Sequence, residues 1–183
     1  MQFQLRSITL ALVIPMLVLA SGCCKEASGD SSTDKPATGS APASEKADDM
    51  TDVDLAPLPL TIRVPKGGMG AMDMSLGEDK SVTVDIGDGA SLNIQVLEAS
   101  GLEGLKKTYK ADTILHPFKR FAKESADGFV VEFESDGKTG YVGVTTQDVG
   151  GKKYVCKTTG LDGVKSVEEA EKNLAACKRL KGK

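Results

Sequence analysis

Hydrophobic and polar positions divide the chain into three stretches. Ile8 to Ala20 is apolar apart from Thr9 and Pro15, residues 24–56 hold almost no large aliphatic side chain, and the remainder carries short alternating segments. Alternation bounded by turn residues is the signature of half-buried strands. Leu58 to Val64 is the first such segment. Ser81 to Ile86 and Ser91 to Leu97 flank Gly87-Asp88-Gly89-Ala90, a hairpin sequence. Gly128 to Glu134 alternates so that Phe129, Val131 and Phe133 share a face. Ser135-Asp136-Gly137-Lys138 then turns into Tyr141 to Thr146, and Gly150-Gly151 turns into Lys153 to Thr158. These last three segments predict an antiparallel meander.

Two segments have helical spacing instead. Leu102, Leu105 and Tyr109 predict a helix with lysines around its apolar side. Towards the C-terminus Ser166 is a good N-cap, Glu169 completes a capping box, and Glu168 and Glu169 suit the positive end of the helix dipole. Val167, Ala170, Leu174 and Cys177 form one apolar stripe, with Lys178, Arg179 and Lys181 expected at the negative end. Between the helices, Leu115, Phe118 and Phe121 in the stretch Lys110 to Asp127 fit a helix or a strand equally well. Seven of the eight aromatic residues fall between Tyr109 and Tyr154, which predicts the densest packing there, with the earlier hairpin adding edge strands.

Residues 1–22 read as an export signal, because Arg6 is the only charge and the apolar run is short for a membrane span. The sequence that ends it, Leu19-Ala20-Ser21-Gly22-Cys23, resembles the lipobox of bacterial lipoproteins, although Ala20 stands where that family usually has Leu. The resemblance covers about two dozen residues. It implies lipid attachment (a diacylglycerol thioether and an acylated amine such as palmitate) at Cys23. It also implies a place in the cell envelope, on the outer membrane of a Gram-negative bacterium, since no Asp follows the anchor. Residues 23–56 then form the lipidated Cys and a disordered acidic tether, with eight acidic and three basic residues after the Cys. As a flexible coil such a tether reaches on the order of 30 Å. Residues 57–183 are expected to form the folded domain.

An envelope address is oxidising, and there the natural disulfide joins Cys156 in the last predicted strand to Cys177 on the helix stripe, leaving Cys24 over. The expected fold is therefore α+β: an antiparallel meander with a disulfide-stapled C-terminal helix packed on one face.

Charge and composition narrow the chemistry. The whole chain carries a formal net charge of −3, whereas residues 57–183 hold 19 basic and 18 acidic side chains, so the acidity belongs to the tether and no nucleic-acid partner is expected. One His, His116, and no closely spaced cysteine pair outside the signal boundary exclude the common zinc patterns. No Gly-x-Ser-x-Gly, P-loop or His-Glu-x-x-His sequence occurs. The reading is non-enzymatic with no cofactor, and a hydrolase built from scattered carboxylates ranks last.

Two clusters stand out. Met69, Met72 and Met74 fall within six residues of a glycine-rich stretch. They predict adaptable gap-fillers against the sheet or, alternatively, soft thioether ligands for copper as Cu(I). Lys106, Lys107, Lys110, Lys119, Arg120 and Lys123 predict a solvated face or, alternatively, a basic patch for a ligand or partner. The function expected is a membrane-anchored binding or accessory module that meets an envelope protein or cell-wall partner. A Cu(I)-handling lipoprotein is the alternative.

Overall fold

In the computed structural model, which describes residues 49–183, the alternating segments pair into two antiparallel sheets. The smaller has the order β1 (Met50–Asp54), β2 (Leu60–Pro65), β10 (Leu180–Gly182). The larger joins seven strands: β3 (Ala71–Asp73), β4 (Ser81–Gly87), β5 (Ala90–Val96), β9 (Lys152–Thr158), β8 (Lys138–Val149), β7 (Gly128–Ser135) and β6 (Phe118–Glu124), in that spatial order. Helix α1 (Gly101–Ala111) links β5 to β6, and α2 (Val167–Leu174) follows β9. The fold is α+β, and β7, β8 and β9 form the expected meander.

The large sheet has two differently covered faces. On one, Leu60, Ile62 and Val64 of β2 pack against Val82, Val84, Leu92, Ile94 and Tyr154 in a fully buried aliphatic core. Helix α2 extends this cover, with Ala170 beside Val130 and Leu174 in the main core. On the opposite face, Leu102, Leu105 and Tyr109 of α1 lie over Phe121, Phe129 and Val131. Aromatic edges meet there, Tyr109 to Phe129 at 5.7 Å and Phe121 to Phe129 at 5.3 Å between ring centroids.

Cys156 and Cys177 are joined at 2.01 Å, so the C-terminal segment is stapled to β9 as expected. Ser166 caps α2 by accepting from the Glu169 amide at 3.2 Å, and the Glu169 carboxylate accepts in turn from the Lys165 amide.

Several expectations change. Folded structure is present before residue 57: Met50–Asp54 is a strand and Leu55 is fully buried. Its order comes from backbone pairing with β2, which a sparse apolar composition hides. The signal, Cys23 and residues 24–48 of the tether lie outside the described residues. The C-terminal helix ends at Leu174, and a 3₁₀ turn over Ala175–Arg179 carries Cys177 into β10, so Lys181 is in a strand rather than at a helix end. The open stretch 110–127 resolves into a strand, β6, because Phe118 and Phe121 pair across to Phe133 and Val131. The densest packing is shared with the first half of the domain, whose aliphatic residues supply most of the largest core, and β5 is an interior strand rather than an edge.

Candidate functional site

The face of the large sheet that carries α1 changes character across its width. Beneath α1 it is apolar, from Phe118 and Phe121 on β6 to Val142 and Val144 on β8. On the other half the core-facing residues Val82, Val84, Leu92 and Ile94 alternate with Ser81, Thr83, Asp85, Ser91, Asn93 and Gln95, so this half is floored by small polar side chains. Helix α1 lies over the other half, and this half borders an open cavity. Floor groups hydrogen-bond to one another: Asn93 Nδ2 donates to Thr83 Oγ1 at 3.3 Å, and the hydroxyls of Ser91 and Thr159 meet at 2.5 Å. Lys157 borders the floor and donates to Gln95 Oε1 at 2.9 Å. Burial pushes its ammonium below the ordinary lysine range, with Glu98 opposing the shift.

The rim of this floor is methionine. Edge strand β3 pairs with β4 so that Met72 stands opposite Thr83, and the Met74 amide donates to the Ser81 carbonyl at 2.9 Å. Partners across a ladder share a face, so both side chains lie on the polar side of the sheet. The loop before β3 is reversed by Gly67 and Gly70, at φ of 90° and 77°. Asp85 holds that loop to β4, its Oδ2 accepting from the Met69 amide at 3.2 Å. All three methionines line one open cavity of about 630 Å³ with Thr83, Ser91 and Asn93.

The gap-filler expectation for these methionines does not hold. Met69, Met72 and Met74 are 94%, 63% and 53% exposed: Met72 stands opposite Thr83 and Met74 beside Ser81, hydroxyl residues that offer nothing apolar to pack against, and Met69 projects from the loop before β3. Asp85 lies within the predicted strand Ser81 to Ile86, and its partner Met69 is 16 residues away, beyond any local pattern. The floor residues were equally hidden, since polar positions in an alternating strand read as ordinary solvent-facing ones.

The six basic residues are dispersed and largely neutralised. Lys106 pairs with Glu103 at 3.1 Å and Glu124 at 2.7 Å, which ties α1 to β6. Lys119 and Arg120 both grip Glu132, at 3.1 Å and 2.6 Å, and Lys123 pairs with Glu171 of α2. Lys110 lies over the Phe121 ring at 5.3 Å, and Lys107 is exposed on α1. These cations fasten both helices to an edge strand more than they form a single field.

His116 packs edge-on against Phe133 at 4.5 Å, with Nε2 3.4 Å from the Gly160 carbonyl and Nδ1 3.9 Å from Asp112. A second cavity of about 280 Å³ lies between β6, β7 and α2, beside the Lys123–Glu171 pair. Among the described residues no helix is long and apolar enough to cross a membrane, and no group of three or more His, Cys, Asp or Glu converges as a metal site. No family model, curated protein or solved structure matches the chain.

Proposed function

We propose that this chain is a membrane-anchored envelope lipoprotein whose folded part is a non-enzymatic binding or accessory module, and that its ligand meets the uncovered half of the large sheet. The observation that carries the reading is the contrast within one sheet face: half is sealed by α1, and half is left open beneath three exposed methionines. Soluble domains rarely leave several large apolar side chains together in water without a use for them. Methionine suits such a surface because its flexible thioether chain adapts to differently shaped partners.

The anchor rests on Leu19-Ala20-Ser21-Gly22-Cys23, and it makes a distant site useful by raising local concentration near the membrane. The Lys66 amide donates to the Asp49 carbonyl at 2.8 Å, so the chain enters the fold right beside the Gly67–Gly70 loop. The open face is thus carried close to the root of the tether, within reach of envelope proteins or cell wall around the anchor.

Two experiments test the two parts. Cys23→Ala is expected to abolish incorporation of a palmitate analogue and to release the protein from the membrane fraction; retention of both contradicts the anchor. A photo-cross-linker placed at Thr83 in cells is expected to capture a defined species, while one at Glu168 on α2 captures none. Capture from Glu168 alone contradicts the choice of face.

A further inference from the structure

Resting on the reading of the open sheet half as the binding surface, we propose that Met69, Met72 and Met74 form a site for a soft monovalent cation of the Cu(I) class. Thioethers are soft, neutral donors that favour Cu(I) over harder divalent ions. Among the described residues the two cysteines are spent in a disulfide, and the single imidazole lies elsewhere, against Phe133 and Gly160. Met69, Met72 and Met74 are therefore the soft donors that line this cavity, and Met50 on β1 is not among its lining residues.

Their placement suits shared coordination. Met72 is on β3 and Met74 is the residue just past its end, still bonded to Ser81 of β4, so in extended backbone the two are roughly 7 Å apart and on one face. Long side chains readily close such a gap. Met69 approaches from the adjoining loop, and all three line the same cavity. The loop is set in advance, since its reversal falls on glycines and the Met69 amide is held by Asp85. Small hydroxyl and amide groups underneath leave room for the sulfurs to gather. A +1 ion with three neutral ligands also needs a counter-charge, and the Asp85 carboxylate at the cavity wall supplies one. Finally, the exposure of all three chains removes the competing explanation that packing holds them there.

The test uses the full-length protein in detergent, with Cys24→Ser so that this side chain cannot compete for the metal. Cu(I) is generated with ascorbate and competed against a chromogenic Cu(I) chelator, and Ag(I) serves as a redox-inert probe. One Cu(I) per chain is expected. The combined Met69→Leu, Met72→Leu and Met74→Leu variant, folded by circular dichroism, is expected to bind about a hundredfold more weakly or worse. Absence of bound Cu(I), or equal affinity in the triple variant, overturns the site. The Thr83 cross-linker then separates the two claims. Capture that persists in cells without any metal binding overturns the metal site and leaves the binding face, whereas loss of both overturns the two together.

Discussion

Glu132 is buried on β7, where the Arg120 guanidinium and the Lys119 ammonium hold its carboxyl below the usual range against an opposing cost of desolvation. A carboxylate whose folded pKa is depressed contributes stability above its unfolded pKa and loses it as pH falls through the folded value. The stability difference between wild type and Glu132→Gln is therefore expected to shrink as pH drops from about 6 to about 3, read from denaturant midpoints. A constant difference contradicts this role. Gly140 illustrates a steric constraint of the same scale. A methyl group there would lie 2.4 Å from the Asp162 carbonyl oxygen and 2.5 Å from Phe133 Cζ. Gly140→Ala is expected to cost about 2–3 kcal/mol in equilibrium unfolding. The turns were legible at this scale: Asp88-Gly89 and Asp136-Gly137 all adopt positive φ, the type I′ geometry that Asp-Gly pairs favour between strands. The packing partners of Gly140 were not, because Asp162 and Phe133 reach it from other segments.

Elements with a strong local code agree with their sequence patterns. α2 starts at its capping box, and the meander keeps the alternation of Phe129, Val131 and Phe133 on one side. Elements held mainly by neighbours departed from pattern. β1 exposes most of its side chains and owes its place to β2, while β6 takes strand form because β7 offers an edge to pair with. The tail past Leu174 changes from α to 3₁₀ to strand, allowing Cys177 to reach Cys156 and Leu180 to reach β2 within a few residues. The disulfide closes a loop with a sequence separation of 21 residues. On the chain-entropy account, the paired Cys156→Ser and Cys177→Ser changes should lower stability by about 3 kcal/mol in denaturant unfolding. No loss would mean that the tail packs as well without its staple.

On the scale of the whole molecule, a nearly neutral domain has its two helices fastened by ion pairs to β6, on opposite faces of the sheet. The other half of the α1 face is left open beside the root of the tether. The methionine cluster was visible in the sequence, but its meaning depended on what lay opposite. That was set by the pairing of β3 with β4, a contact between segments that no local periodicity encodes. Because these side chains are exposed, replacing Met69, Met72 and Met74 with Leu should each change stability by less than about 0.5 kcal/mol in denaturant unfolding, so losses of binding can be read as losses of the site.

The most direct measurement is peroxide oxidation of the methionines, in intact cells and in the purified protein, read by mass spectrometry. Cleavage after Lys66 and Lys80 gives one peptide, Gly67 to Lys80, that carries Met69, Met72 and Met74, with Met50 elsewhere as an internal reference. If the rim is the occupied surface, whatever its ligand, those three are expected to oxidise more slowly in cells than in the purified protein while Met50 is unchanged. Equal rates in the two settings would contradict the assignment of this face as the site of function.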